Sequence, residues 1–279
     1  MTGSQQITVR QMQADDISAA DSLREAAGWN QRQTDWLTAL AYQPDGCFVA
    51  VCRGQIAGTV TTTSYGTELG WIGMMLVAPS LQRRGIATQL METAIEYLQE
   101  LGIECIRLDA TPTGRIVYER LGFQSEWDFH RWERSHGPQV TIEPAPTVSM
   151  DTLSAELVQL DRDAFGTNRS AWLKAAGPHS RCVGFEQGFG MSRTGSRATY
   201  LGPVVAESTD AARRIAVTLL NDIAGPVFWD IPGPNIAATR MAQTMGFLPV
   251  RDLTRMRLGP ESVQPDYSRL YGLYDPGMG

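Results

Sequence analysis

Gln82-Arg83-Arg84-Gly85-Ile86-Ala87 is the stretch whose residue types and spacing suit the capture of an anion. It follows an apolar run, Trp71 to Val77, and opens a segment, Ile86 to Leu101, in which Ile86, Leu90, Ala94 and Leu98 recur at helical spacing. Ala87, Met91 and Ile95 flank that stripe, while Gln89, Glu92, Glu96 and Glu100 face away. The run predicts a buried strand and the segment a helix that Gly102 stops, so the turn between them is a helix N-terminus. Backbone N–H groups there lack intrahelical acceptors and carry the positive end of the helix dipole. Gly85, with no Cβ, lets a phosphate oxygen reach the backbone, and Arg83 and Arg84 add positive charge. The stretch reads as a pyrophosphate cradle. Neither G-x-x-x-x-G-K-[ST] nor a strand-linked G-x-G-x-x-G occurs, which excludes a Walker loop and a dinucleotide fingerprint.

The elements that must position this cradle follow from the pattern on either side. Ile7 to Gln11 alternates as a strand, Asp15 and Asp16 start a helix reaching Ala27, and Trp29 to Leu37 continues into a second short helix. Cys47 to Cys52 and Gln55 to Ser64, split by Arg53-Gly54, predict a hairpin. After the long helix, Cys105 to Asp109 is a strand, a loop from Asp109 to Gly114 leads to a helix containing Tyr118, and Gln124 to Trp132 is a last strand.

The hexamer, the strand ending in Val77-Ala78-Pro79, and Val117-Tyr118-Glu119-Arg120-Leu121-Gly122-Phe123 downstream stand in register. Together they resemble the Q-x-x-G-x-A signature and closing Y-E-x-L-G-F of the GCN5-related N-acetyltransferases (GNAT), which cradle the pyrophosphate of acetyl-CoA. The chain also contains a repeat: Ile72 to Ala87 lies without gaps on Leu201 to Ala216. Leu121-Gly122-Phe123 is echoed by Met245-Gly246-Phe247, and Trp36-Leu37 by Trp172-Leu173. The resemblance therefore implies an α+β fold with mixed sheets: two tandem GNAT-like domains, each a central β-sheet flanked by helices. The boundary falls near Gly137-Pro138-Gln139, giving domains of 1–139 and 140–279. A tail from Glu261, without counterpart in the first copy, carries a short apolar stretch, Leu270 to Leu273, suited to an edge strand or to packing across both halves.

Composition excludes several classes. With 279 residues, 43% apolar, 19% charged and a net charge of -6, the chain is an ordinary globular one, without a basic footprint for nucleic acid. Met1 to Gln6 lacks the character of a secretory signal, and no apolar run reaches the ~20 residues of a membrane span, so a cytoplasmic protein is expected. Cys47, Cys52, Cys105 and Cys182 form no C-x-x-C pair, which suits reduced core residues. His130, His136 and His179 have no ligand-like spacing, so no metal is expected.

Comparing the copies assigns their roles. Arg214 stands where the first copy has Gly85, Ala211 where it has Gln82, and Met241 or Ala242 where it has Tyr118. The second cradle is expected to be closed by the Arg214 side chain, and the N-terminal half to be the active one. The resemblance implies that the pantetheine arm of acetyl-CoA, the co-substrate, pairs with Met75, Leu76 and Val77. It implies further that Gln82, Arg83, Arg84, Gly85, Ile86, Ala87, Thr88, Thr111 and Gly114 hold the rest. Thr111 departs from the asparagine that the family often has there. Tyr118 would protonate the departing thiolate. No carboxylate lies on Trp71 to Val77, so Glu68, Asp109 or a water chain must serve as base. Trp29 and Asn30, and Asp230 and Asn235 of the second half, are candidate substrate contacts; core packing for the tryptophan and helix capping for Asp230 and Asn235 are the alternatives. The implied activity is an acyltransfer from acetyl-CoA to a primary amine of a small molecule, by direct attack in a ternary complex. A protein lysine as acceptor and an acyl-CoA-sensing module are the competing readings, and a monomer or a homodimer is open.

Overall fold

A computed structural model describes residues 7–135 and 142–279. The predicted boundary near Gly137-Pro138-Gln139, the stretch Met1 to Gln6 and His136 lie outside the described residues. In chain order the first half forms β1 (Ile7–Gln11), α1 (Ile17–Ala26), α2 (Gln33–Tyr42), β2 (Cys47–Cys52), β3 (Gln55–Tyr65) and β4 (Leu69–Val77). It continues with α3 (Ile86–Glu100), β5 (Ile106–Ala110), α4 (Pro112–Arg120) and β6 (Gln124–Arg134). The second half repeats the series as α5 (Ala155–Phe165), α6 (Ser170–Ala176), β7 (Arg181–Phe185), β8 (Gly188–Thr194), β9 (Thr199–Ala206) and α7 (Thr209–Leu220). Then come β10 (Val227–Ile231), α8 (Ile236–Thr244), β11 (Leu248–Leu258) and, from the tail, β12 (Leu270–Gly272).

The repeat is a packing repeat as well as a sequence one. A Cβ on Gly58 of β3 would lie 3.3 Å from Ile86 Cγ2 and 3.0 Å from Leu90 Cδ1; one on Gly190 of β8 would lie 2.5 Å from Ile215 Cγ2 and 3.3 Å from Leu219 Cδ1. In each half a glycine thus lets the same two helix residues sit down on the sheet. Each helix covers its own core, Leu90, Ala94 and Leu98 in the first half and Ile215, Ala216 and Leu219 in the second. A third core is common to both halves and joins Trp36 of α2, Phe165 of α5 and Trp172 of α6 to Leu273, Tyr274 and Met278 of the tail. The four cysteines are buried.

The halves do not form two separate sheets. They share one sheet of order β1-β2-β3-β4-β5-β11-β6-β10-β9-β8-β7, with β12 on β9. Each half surrenders its last strand: β11 inserts beside β5, β6 beside β10, and the two exchanged strands pair antiparallel at the centre. Both exchanges carry the same lock. Arg255 stands opposite Asp109 and Arg131 opposite Asp230 in the strand registers. Arg255 donates from Nε and Nη2 to both Asp109 oxygens at 2.8 and 2.9 Å; Arg131 does the same to Asp230 at 2.8 and 2.7 Å. All four side chains are buried, and each guanidinium lies over aromatic rings, Trp71 and Trp127 for Arg255, Tyr200 and Phe228 for Arg131.

A buried ion pair contributes little net stability over an apolar pair of similar volume, but breaking it leaves a charge buried alone. Asp230→Ala is therefore expected to cost ~3–5 kcal/mol in urea unfolding, whereas Arg131→Met with Asp230→Leu recovers most of that loss.

Candidate active site

The strand before the cradle begins as ordinary sheet. Gly70 and Trp71 of β4 pair in parallel with Ile106 and Arg107 of β5, and there the pairing of these two strands ends among the described residues. The register of β4 against β3 shifts between Thr59 and Thr61, and Met74 at the shift has φ +50. A bulge of this kind bends its strand, and Thr59 Oγ1 donates to the Met74 carbonyl at 2.8 Å to hold it. Beyond the bulge β4 and β5 splay into a V whose edge is Met75, Leu76 and Val77.

The V opens into a cleft of ≈ 880 Å³. Gly85 is the N-cap of α3 with φ +81, a left-handed conformation that suits glycine, and no atom lies within 4 Å of where its Cβ would project. α3 has no side-chain cap, whereas Thr111, Ser154, Ser208 and Asn235 cap α4, α5, α7 and α8. The N–H groups of Ile86, Ala87 and Thr88 thus open the helix with no capping side chain, and all three residues line the cleft with Gln82 and Arg83. Arg84 is exposed and outside the lining, so the cationic contribution to the cradle from that pair rests on Arg83.

Tyr118 on α4 lies in the opposite wall, its ring against Phe123 and over Gly114, where a Cβ would come within 3.1 Å of its Cε2. Its hydroxyl bonds to no other described residue, and burial pushes it up to about 12. Thr111 lines the cleft while its Oγ1 accepts from Gly114 N at 3.1 Å, so the threonine does the capping that Asn235 does in the second half. The far wall comes from both halves. It holds Trp29 and Asn30 after α1, Arg131 and Glu133 of β6, Arg197 before β9, Phe228 of β10, Arg251 and Leu253 of β11, and Pro276-Gly277 of the tail.

Several expectations change. Glu68 precedes β4 at the end away from the cradle; it accepts from Thr167 Oγ1 and faces Arg162 at 3.8 Å, outside the cleft. Asp109 is a residue of the cleft lining, but its carboxylate is fully buried against Arg255; burial pushes it up to about 6 against the pull of that arginine. Both oxygens are engaged, which leaves neither to take a proton from an acceptor. Asp230 locks Arg131 and does not line the cleft. Asn235 accepts from Ala238 N at 2.9 Å and donates to the carbonyls of Tyr267, Ser268 and Leu270, so it is a cap and a tail clasp. Asn30 lines the cleft but uses its amide on the second half, donating to Ala198 O and accepting from Arg197 N and Ala198 N. Trp29 is half-buried in the wall, and Trp36 is core.

Arg131, Glu133, Arg197, Phe228, Arg251, Leu253 and Pro276-Gly277 are the residues of the wall that motif reading misses. The signal available was the repeat itself: Phe123 and Phe247 align Arg131 with Arg255 and Trp127 with Arg251, which marks the last as a position where the copies disagree in chemistry.

The second half is closed, though not by the Arg214 side chain. Thr209 to Arg214, aligned with Ser80 to Gly85, are helical, so α7 winds through the place where the first half keeps an open turn. Arg214 points to the linker, donating to the Glu143 and Pro144 carbonyls. β9 and β10 also splay, after Val227↔Thr199, Phe228↔Tyr200 and Trp229↔Leu201, but β12 fills that V. Leu270 and Gly272 pair with Val205 and Val204, the counterparts of Leu76 and Met75, and Leu273 N donates to the Asp230 carbonyl at 2.8 Å.

Sequence comparison agrees with this geometry. Residues 12–123 match the model of the acetyltransferase (GNAT) family and residues 157–272 that of an acetyltransferase (GNAT) domain. The chain belongs to the GNAT acetyltransferases, in tandem form. It is 27% identical over 230 residues to the uncharacterized N-acetyltransferase YitH of Bacillus subtilis (strain 168), covering 79% of this chain and 80% of that one. A crystal structure of a Pyrococcus horikoshii protein assigned to the acetyltransferases superposes with a TM-score of 0.89 at 26% identity, over 99% of this chain and 97% of that one. A tandem GNAT protein from the clavulanic acid biosynthesis pathway shares the fold, with a TM-score of 0.65 at 16% identity over 94% of this chain and all of that one. No helix among the described residues is long and apolar enough to cross a membrane.

One CoA per chain is the expected stoichiometry in calorimetry. Gly85→Ala, which places an L side chain in a left-handed turn at a cost of ~1–2 kcal/mol, is expected to weaken that binding about tenfold.

Proposed function

We propose that the N-terminal half transfers the acetyl group of acetyl-CoA to a primary amine of a small molecule, both substrates being bound together, and that the second half serves as a wall of the acceptor site. The observation that carries this reading is the contrast between two equivalent sites. The V of β4 and β5 and the first turn of α3 are open, while in the second half β12 fills the V and α7 fills the cradle.

The donor fits the residues present. The amides that begin α3, with Gly85 and Arg83, would receive the pyrophosphate, and the edge of β4 from Met75 to Val77 would pair with the pantetheine arm. A backbone N–H of that edge would hold the thioester carbonyl as negative charge develops on it, an effect worth ~3 kcal/mol. Tyr118, a neutral phenol inside the cleft, would return a proton to the leaving thiolate. The amine must attack unprotonated. Of the two acidic residues that line the cleft, Asp109 has its carboxylate buried on Arg255; Glu133 has no ion-pair partner among the described residues and is the proposed proton acceptor, directly or through water. A small acceptor is favoured over a protein lysine because Arg197, Phe228 and Arg251 bring the second half over the acceptor side.

Release of CoA thiol across a panel of amines, amino acids, polyamines and a lysine peptide tests this, with Tyr118→Phe expected to lower kcat at least ~10-fold for the accepted class. No acceptor reacting despite intact acetyl-CoA binding would sink the reading. Because burial pushes Tyr118 up to about 12, it keeps its proton through pH ~10, so kcat/KM should rise as the amine deprotonates and show no decline up to that pH. Glu133→Gln should slow the reaction ~10-fold or more near pH 7 and lose that effect at high pH, where the amine arrives already neutral.

A further inference from the structure

The acceptor side of the cleft carries charge that the donor does not use. Arg251 follows a register shift in β11 and stands directly opposite Arg131 on β6. Residues so paired share a face of the sheet with Cβ atoms ~5 Å apart, where like charges are destabilising. Arg131 is neutralised by Asp230. Arg251 makes no ion pair or hydrogen bond with any described residue, although it is half-buried, and burial beside Arg131 and Arg197 pulls its pKa down. Arg197 closes the same region from the β8–β9 loop; one of its guanidinium nitrogens donates to the Gly28 carbonyl at 3.0 Å, and the group pairs with no described carboxylate. At the closed site the place of Arg251 is taken by Trp127 of β6, half-buried with its ring edge-on to Tyr267 and under the Arg255 guanidinium. In a chain of net charge -6, two cations without counter-ions on one wall call for an anion from outside.

The pyrophosphate cannot be that anion, since it belongs to the turn before α3, on the wall built by β4, α3 and α4. Glu133, two residues after Arg131 and so on the same face of β6, gives the wall one negative point beside the two positive ones. We propose that the acceptor is an amine carrying an anionic group, a carboxylate or a phosphate, with the anion held by Arg251 and Arg197 and the amine directed toward Glu133. A guanidinium binds either anion in bidentate fashion. The inference rests on the acetyl-transfer reading above and narrows its substrate.

Matched pairs test it: α-amino acids against their carboxamides for the carboxylate, and phosphoethanolamine against ethanolamine for the phosphate, each assayed by CoA release with wild type, Arg251→Gln and Arg251→Lys. The expected result is a kcat/KM at least ~10-fold higher for the anionic member of one pair, a preference that Arg251→Gln abolishes and Arg251→Lys partly restores. The pair that responds names the anion. Equal or better use of the neutral members overturns the inference. Should no compound react while acetyl-CoA still binds, the transfer reading fails by itself. The anion site is then decided by calorimetry of the same pairs on CoA-loaded protein: binding of the anionic member that Arg251→Gln abolishes upholds it, and no such binding overturns it.

Discussion

Two buried Asp–Arg pairs, Asp109 with Arg255 and Asp230 with Arg131, fix where everything else in this molecule sits. Each joins a strand of one half to the strand lent by the other, at directly opposed positions. A slip of one residue in either register would turn every side chain of that strand to the other face and leave the two charges of its pair in the interior without partners. The pairs therefore act as register pins more than as a store of stability. What they pin includes the far wall of the cleft, because Arg131 and Glu133 on β6 and Arg251 and Leu253 on β11 all lie on the exchanged strands.

The duplication explains how one site stays open while its twin does not. Downstream of the cradle the helices pack identically, Ile86 and Leu90 against Gly58, Ile215 and Leu219 against Gly190. The difference lies in the six positions before that shared packing. In the first copy they form a turn that Gly85 makes possible in the left-handed region; in the second, Ser208 caps a helix that begins early and runs straight through. A change in helix start, with the packed part untouched, is a small step in sequence and removes the open turn completely.

The fold and the donor side are legible in the sequence because they are local. Gly85 sits between a strand and a helix whose periods are plain, and Tyr118 stands five residues before a Phe that closes its helix. The acceptor side is not legible in the same way, because strand exchange places β11 beside β5 and brings residues more than a hundred positions apart onto one wall. Glu68 illustrates the limit: it is near the right strand in sequence, yet β4 carries its nine residues between it and the reacting end, so that proximity along the chain becomes distance in space. Asp230, near the end of β10, and Asn235 flank a Pro/Gly-rich loop whose composition suits ligand contacts, and only the tertiary partners, Arg131 and the tail carbonyls, reveal that both are already occupied.

A splayed pair of parallel strands leaves backbone donors and acceptors unpaired on both inner edges, and some guest must satisfy them. In the first half that guest has to diffuse in and can leave again. In the second half β12 is tethered to the strand system it fills, so its effective concentration is on the order of millimolar or above however dilute the cell becomes. Under the proposed function the two halves obey different laws of mass action: the stability of one rises and falls with its ligand supply, and that of the other is constant. A duplicated domain that carries its own guest no longer has to bind a ligand to be well folded, which frees its former binding surface for a new task as a wall of its neighbour's site.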